Sequence, residues 1–343
     1  MLIVRDTDAV LADWRGPALR FEREVGKVVL GQERVIRLIT IATFARGHVL
    51  LEGDVGVGKT TLLRAVARAI GGAFERIEGT IDLMPADLVY HAHLGEDGRP
   101  RIDLGPLLRQ GEDLSVFFFN EINRARPQVH SLMLRLMAER SVSAFNREYR
   151  FPHVQVFADR NKVEREETFE LPAAARDRFL MEVQVAMPED SEARRQLVFD
   201  PRFHNVDTLL TEVETGVLDP QALETVARAI QSGVRSSPAL EAYVLALWEG
   251  VRRPDSLGFE IENVDLRRLV QGGASPRGMS YLLRAARVRA WLEGRDMVVP
   301  EDIRAVFPEV MAHRVFIDPV YEPRRERIVA ALIAGLFARV PAP

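Results

Sequence analysis

The chain has 343 residues, of which 47% are apolar and none is cysteine, and its formal net charge is -4. This length allows two domains, and the apolar share is that of a globular protein. The lack of cysteine excludes disulfides, thiolate metal sites and cysteine nucleophiles, and the charge provides no basic excess for nucleic acid. The N-terminus turns charged at Arg5 and no apolar run is long enough to span a bilayer, so we expect a cytoplasmic protein.

Two amphipathic helices are predicted first, at about Thr7 to Val29 and at Glu33 to Phe44. Gly31-Gln32 separates them. An apolar run, Val49-Leu50-Leu51, then predicts a buried strand, and residues 62–70 predict the helix that follows it.

A glycine-rich stretch lies between this strand and this helix, and it fits the P-loop pattern of a glycine, four free positions and Gly-Lys-Thr. The predicted phosphate-binding residues are Gly53, Asp54, Val55, Gly56, Val57, Gly58, Lys59, Thr60 and Thr61. The glycines allow backbone N–H groups to point inward toward phosphate. Lys59 should reach the outer phosphates, and the Thr60 hydroxyl should bind Mg²⁺. The alternative is an ordinary glycine turn.

Further strands alternate with helices from about residue 48 to residue 187, which predicts a parallel sheet covered on both faces. These strands are predicted at Phe74 to Ile77, Ser115 to Phe119, Val154 to Phe157 and Phe179 to Val185. Residues 80–106 are punctuated by proline and glycine and predict an exposed insertion of turns or hairpins.

Strand patterns fade after Glu189, and helical patterns take over. We therefore predict an α/β nucleotide-binding core with N-terminal helices at residues 1–190, followed by a smaller all-α domain at residues 191–343. The final helix, Arg324 to Val340, carries a broad apolar face that we expect to pack on its own domain or on a neighbour rather than on a membrane surface.

Asn120-Glu121 follows the apolar strand that ends at Phe119. Ligands of open α/β sheets lie at such carboxyl ends, where nucleotide hydrolases keep an acidic pair. Glu121 can act as the base that polarises the attacking water. Asn120 takes the place that steadies Mg²⁺, usually through water, but its amide brings no charge, which should weaken metal binding. The alternative is a strand end with an ordinary turn.

These residues and several other stretches resemble the MoxR family of AAA+ ATPases. The matching stretches are Gly31-Gln32, residues 48–53, Asn120 to Ala125, Leu132 to Arg140, Leu171 to Phe179, Gly273 to Arg277, Gly294 to Asp302 and His313-Arg314. They run from about Gly31 to Arg314, nearly the whole chain. The resemblance implies a P-loop AAA+ core with a parallel sheet between helices, followed by a helical lid.

The resemblance also implies roles for three residues outside the P-loop and the strand end. Asn161 corresponds to the sensor 1 residue that orients the attacking water. Arg178 resembles the arginine finger that enters the neighbouring subunit's site, and Arg277 resembles the sensor 2 arginine of the lid. Either arginine taken alone would more often be a solvated surface charge or a partner of a carboxylate. Arg124 and Arg126 are assigned to the surface by default.

Two departures from the family pattern fall at the catalytic rim. The usual aspartate is Asn120 here, and the usual Ala-Thr-Gln-Asn-Pro reads Ala158-Asp-Arg-Asn-Lys162. We therefore expect normal ATP binding with hydrolysis that is slow or dependent on a partner. His91 and His93 alternate in the insertion and could share one face, but with no third ligand evident nearby, a metal site there is only a minor alternative.

The leading functional prediction is an ATPase that binds ATP and Mg²⁺ and forms a ring, which is typically hexameric in the family. By resemblance it would mature or activate a client enzyme, often one with a metal or cofactor, together with a separate partner bearing a von Willebrand factor A domain. One alternative is a nucleotide-gated scaffold with little catalysis, supported by Asn120. A DNA-remodelling ATPase is disfavoured by the acidic balance, and a small-molecule kinase by the lack of a phosphate-acceptor lid.

Overall fold

The computed structural model describes residues 7–95, 97–161 and 169–343. These residues form two compact units. One unit contains Gly16–Arg178 and Val183–Glu224, and the other contains the start of the chain up to Arg15, Phe179–Glu182 and Thr225–Pro343. This spatial division falls at different residues from the predicted domains 1–190 and 191–343, which stay a prediction.

The strands belong to one five-stranded sheet and three small two-stranded sheets. Their bounds are β1 His48–Gly53, β2 Ala73–Glu78, β3 Tyr90–Leu94, β4 Pro100–Leu104, β5 Leu114–Asn120, β6 Ser141–Ala144, β7 Arg147–Arg150, β8 Gln155–Asn161, β9 Phe179–Gln184, β10 Val270–Gly272 and β11 Phe316–Ile317. The five-stranded sheet has the order β2-β5-β8-β1-β9. Its pairs β2·β5, β5·β8 and β8·β1 are parallel, which confirms the predicted parallel sheet.

Helices supply most of the remaining structure. Their bounds are α1 Thr7–Gly26, α2 Glu33–Phe44, α3 Lys59–Ile70, α4 Pro85–Val89, α5 Pro127–Glu139, α6 Ala173–Arg176, α7 Ser191–Phe199, α8 Val206–Leu210, α9 Leu223–Gly233, α10 Pro238–Arg252, α11 Leu266–Leu269, α12 Pro276–Leu292, α13 Pro300–Met311 and α14 Arg325–Arg339. Helix α2 packs against β1, and α3 packs against β5. Every residue of β5 is buried, as expected of a central parallel strand.

Two β-hairpins lie between these elements in the chain. Strands β3 and β4 form the exposed hairpin predicted within residues 80–106. Strands β6 and β7 form a second hairpin that the sequence analysis missed. Its turn residues Phe145 and Asn146 have φ values of 50° and 57°, but a Phe-Asn pair lacks the Asn-Gly signature that usually marks such a turn.

Two of the stretches that resemble the MoxR family have a structural role in the unit that contains Thr225–Pro343. Asp302 is fully buried, and its carboxylate accepts hydrogen bonds from Arg295 at 2.6 and 2.7 Å and also from Arg289. This buried ion pair joins α12 to α13. Arg314 is likewise buried, and it donates to backbone carbonyls that include Leu180 O at 3.3 Å. The final helix α14 buries Leu332 and its apolar neighbours, as predicted.

Candidate functional site

The P-loop connects β1 to α3, as predicted. Gly56 and Gly58 have φ values of 81° and 89°, in the left-handed region. A Cβ at either position would meet no atom within 4 Å. The positive φ values, and not a steric clash, are therefore the reason that these positions favour glycine. Gly53 is different, because a Cβ there would lie 2.2 Å from the carbonyl oxygen of Val185. The loop thus has open space beside Gly56 and Gly58 and is tightly packed at its start.

Lys59, at the beginning of α3, is 6% exposed. Its Nζ donates to Gly53 O at 2.7 Å, to Asp54 O at 3.0 Å and to Asn161 Oδ1 at 2.7 Å. The Oδ2 atom of Asp159 lies 3.9 Å away from the same nitrogen. The lysine ammonium is therefore held at the meeting point of the P-loop and the end of β8.

Glu121 follows β5 with a φ of 52°, which is uncommon for a residue with a side chain. Both of its carboxylate oxygens have partners. Oε1 accepts from Asn161 Nδ2 at 3.0 Å, and Oε2 accepts from Arg124 Nη1 at 2.9 Å. Asn161 thus links the predicted base to Lys59. Arg124, which the sequence analysis left on the surface, contacts the predicted base directly.

His130 of α5 supports the turn that follows Glu121. The His130 ring is 1% exposed, and its Nε2 lies 2.8 Å from the carbonyl oxygen of Ile122. Burial lowers the pKa of His130, and the hydrogen bond with Ile122 partly opposes that effect. The neutral ring is therefore the form that donates to Ile122 and supports the turn.

Asn120 ends β5 and is 7% exposed. Its Nδ2 donates to Glu78 Oε1 at 2.7 Å, and Glu78 in turn binds Arg76 at 2.9 Å. An aspartate at position 120 would instead place a second carboxylate beside Glu78. The neighbouring strand β2 therefore gives a physical reason for an amide at this position.

Asp159 is a buried carboxylate at the same edge of the sheet, and the sequence analysis did not assign it to the site. It is 2% exposed, and its Oδ1 accepts from the backbone N–H of Glu121 at 2.6 Å. Burial raises the pKa of the Asp159 carboxyl to about 6, while the Glu121 N–H and Lys59 oppose the rise. The signal was present in the sequence as an acidic residue in the place of the family's threonine.

The other departures in this stretch differ in kind. Arg160 pairs across the sheet with Glu52 at 3.0 Å, and since neighbouring residues of a strand face opposite sides, it points away from Asp159 and Asn161. Lys162 lies outside the described residues.

The phosphate-side cavity has a volume of about 300 Å³ and is lined by residues 54–61 together with Asn120, Glu121, Asp159 and Asn161. The structure therefore brings the predicted P-loop and strand-end residues together. Glycine N–H groups, a buried ammonium and hydroxyl and carboxylate oxygens suit a triphosphate and a hard divalent cation. Thr60, Asn120, Glu121 and Asp159 are among the lining residues with side-chain oxygen atoms for Mg²⁺.

A second cavity of about 320 Å³ shares Gly56, Val57, Gly58 and Thr61 with the phosphate-side cavity. Its other walls come from residues 28–32, 185–188 and 197–209, most of them apolar. Gln32 fixes one wall by donating to Ala186 O at 2.5 Å. An apolar cavity continuous with a phosphate cradle suits the base of a nucleotide. The sequence analysis missed this cavity, although Gly31-Gln32 was one of the matching stretches.

The two predicted arginines, Arg178 and Arg277, belong to different compact units. Arg178 is not among the residues that line the phosphate-side cavity. Its Nη1 donates to Ala174 O at 2.8 Å. Arg277 is exposed in the first turn of α12, after the N-cap Ser275. Neither arginine is thereby assigned a role, and both roles stay predictions.

The two insertion histidines lie on β3, where each pairs with an aspartate. His91 lies 3.7 Å from Asp87, and His93 lies 3.6 Å from Asp103. Among the described residues, no group of three or more metal-ligating side chains occurs. No described helix is long and apolar enough to cross a membrane.

Two family models and a solved structure match this chain. The model of the ATPase family associated with various cellular activities matches residues 48–181, and the AAA lid domain matches residues 266–332. A crystal structure from Cytophaga hutchinsonii, described as that of an ATPase candidate, superposes with a TM-score of 0.81 at 28% identity and covers 98% of both chains.

Named relatives are similar over most or all of their length. Protein MoxR of Methylorubrum extorquens is 69% identical over 100% of both chains. Protein MoxR of Paracoccus denitrificans is 60% identical over 98% of this chain and 99% of its own. Chaperone MoxR1 of Mycobacterium tuberculosis is 33% identical over 85% of this chain and 74% of its own. The chain therefore belongs to the MoxR family of AAA+ ATPases.

Proposed function

We propose that this ATPase is a ring-forming, chaperone-like machine that uses ATP to remodel, mature or activate a client enzyme. The single observation that carries the proposal is the chain of contacts from Lys59 through Asn161 to Glu121. It brings the lysine of the phosphate cradle and a carboxylate base into one site, and phosphoryl transfer to water uses a lysine at the phosphates and a residue that orients the attacking water.

Each residue of this chain has a distinct task. Lys59 neutralises charge on the outer phosphates. Glu121 accepts the proton of the attacking water, and Asn161 holds its carboxylate in place. A bound Mg²⁺ would neutralise phosphate charge, and Thr60 and Asn120 are the residues that the sequence alone predicts to hold it.

The ring is proposed from the position of Arg178. Arg178 is not among the residues that line the phosphate-side cavity of its own subunit. We therefore propose that the Arg178 of a neighbouring subunit completes the site. An arginine supplied in this way stabilises charge on the transferring phosphoryl group. We propose a hexamer, as the family resemblance implies, and we propose that Arg277 responds to the nucleotide from the lid.

The client and the partner are proposed from similarity to other proteins. The M. tuberculosis relative is named as a chaperone, and family resemblance adds a partner with a von Willebrand factor A domain. We propose that such a protein acts together with this chain in the cytoplasm, and that the client is a metal- or cofactor-containing enzyme.

A substrate-trap experiment tests the proposal. Glu121→Gln keeps the shape of the side chain but removes the base, so with ATP it should form a stable ring that retains client and partner on purification from the native cell. The control is Lys59→Ala, which should fail to retain either. A Glu121→Gln protein that hydrolyses ATP at the wild-type rate, or that retains the same proteins with and without nucleotide, contradicts the proposal.

A nucleotide-gated scaffold with weak hydrolysis is the second candidate. The observation that favours it is that Arg124 and Asn161 hold both carboxylate oxygens of Glu121. In this form, ATP would assemble the ring and a partner would release the base. A low basal turnover that rises several-fold when the partner is added would support this candidate.

A further inference from the structure

Two departures from the family pattern exchange a carboxylate between neighbouring strands. The resemblance implies an aspartate at the end of β5, where this chain has Asn120, and a threonine on β8, where it has Asp159. The site therefore loses one carboxylate and gains another. Because both changes fall at the same edge of the sheet, their relative position decides whether one can replace the other.

The strand register places the two residues side by side. Phe119 of β5 pairs with Ala158 of β8, so one residue further along, Asn120 stands next to Asp159. Parallel strands in register present paired residues on the same face. Asp159 also pairs with Leu51 on the other side, on β1. Asp159 is thus one strand nearer to the P-loop than Asn120.

The side-chain contacts favour Asp159 as the oxygen donor. Asn120 and Asp159 both line the phosphate-side cavity. The amide nitrogen of Asn120 donates to Glu78 Oε1 at 2.7 Å, and Glu78 is not among the residues that line the cavity. The Oδ1 atom of Asp159 is fixed by the Glu121 N–H at 2.6 Å, while its Oδ2 faces Lys59 Nζ at 3.9 Å, beyond hydrogen-bond distance.

We propose that Asp159, and not Asn120, supplies the anionic oxygen that steadies Mg²⁺ beside Thr60 in the nucleotide-bound protein. The proposal rests on the proposed ATP site. A buried carboxylate is unfavourable unless cations compensate it, and Lys59 and a divalent cation provide that compensation. The carboxylate has moved to β8, which also removes the repulsion that Glu78 would impose on an aspartate at position 120.

Binding of a non-hydrolysable ATP analogue, measured over a series of Mg²⁺ concentrations and in EDTA, tests the proposal without reference to activity. Asp159→Asn should raise the Mg²⁺ concentration for half-maximal enhancement by about tenfold or more. Its affinity for the analogue in EDTA should be equal to the wild-type value or tighter, because a like charge has been removed. The EDTA value also reports that the site is folded.

Two further variants sharpen the result. Glu78→Gln removes a neighbouring carboxylate that does not line the cavity and should keep the wild-type Mg²⁺ dependence. Asn120→Asp, added to Asp159→Asn in a Glu78→Gln background, should restore it, because the carboxylate returns to β5. If Asp159→Asn does not fold, Asp159→Thr, which restores the residue of the family pattern, provides the same measurement.

The proposal is overturned if Asp159→Asn and Asp159→Thr keep the wild-type Mg²⁺ dependence, or if Asn120→Ala alone abolishes it. A wild-type protein that binds the analogue neither with Mg²⁺ nor in EDTA would refute the ATP site itself. That result can be distinguished from one in which the analogue binds but a residue other than Asp159 determines the Mg²⁺ dependence.

Discussion

Replacement of Asn120 by aspartate restores the family residue, yet the structure predicts that it destabilises the protein. The amide of Asn120 donates to Glu78 at 2.7 Å. The substitution removes this charge-assisted hydrogen bond and places two carboxylates in contact. The expected gain in metal binding is therefore opposed by a local repulsion that the sequence alone does not reveal.

The magnitude follows from the two lost terms. A hydrogen bond to a charged group contributes about 1.5–3 kcal/mol. Two like charges about 4 Å apart repel by about 1 kcal/mol in water and about 4 kcal/mol at an effective dielectric constant of 20. The Glu78 side chain is 53% exposed and pairs with Arg76, so the repulsion lies near the lower value. We expect Asn120→Asp to lower the free energy of unfolding by about 2–4 kcal/mol.

The assay is a double-mutant cycle in chemical denaturation at pH 8, with Asn120→Asp, Glu78→Gln and the pair. Glu78→Gln alone should change stability by about 1 kcal/mol, because it loses an exposed ion pair with Arg76 while its amide oxygen still accepts from Asn120, without the charge. The pair should recover about 2 kcal/mol relative to the sum of the single changes. The reasoning is refuted if Asn120→Asp is as stable as the wild type, or if the two changes are additive. The single variant should show no gain in ATPase rate.

Three further predictions concern residues that support the site. The neutral His130 ring donates to Ile122, and its pKa is lowered by burial; its contribution to stability is therefore present above about pH 6.5 and lost as the pH falls through the lower folded-state pKa. His130→Gln should flatten this loss in denaturation midpoints measured at pH 7.5 and 5.5, and an unchanged pH dependence would contradict the assignment. Gly58→Ala should cost about 1–2 kcal/mol of stability from its φ of 89° and weaken nucleotide binding, as measured by calorimetry; equal affinity would contradict the cradle. Arg124→Gln should lower kcat about tenfold with little change in the KM for ATP, because Arg124 positions the base Glu121; a wild-type kcat would show that this contact is incidental.

The elements that could be predicted from the sequence are those whose signals are local. The burial of β5 follows from its unbroken apolar run, and helix α2 was predicted at Glu33 to Phe44, the bounds that the structure gives. The P-loop was recognisable because φ values near 80–90° at Gly56 and Gly58 require glycine. Each of these features is set by residues that are close in the chain.

The parts that could not be predicted depend on contacts between distant segments. The pairing of Asn120 with Glu78 requires the register of β2 on β5, and the position of Asp159 requires that of β8. Arg124 was assigned to the surface because nothing in its own stretch shows that it bends back to Glu121. The apolar cavity beside the P-loop is assembled from residues 28–32, 56–62, 185–188 and 197–209. More than a hundred residues separate the first two segments from the last two, so no local pattern marks the cavity.

The central claim is that one subunit binds the triphosphate and the next subunit supplies an arginine to its hydrolysis. The most direct test mixes Lys59→Ala, which lacks the cradle, with Arg178→Ala, which lacks the proposed finger, and measures the ATPase rate. Each variant alone should be inactive, and the mixture should recover part of the wild-type rate, because some interfaces combine an intact Lys59 with an intact Arg178. A mixture as inactive as its components, or an Arg178→Ala protein with full activity by itself, would contradict the account.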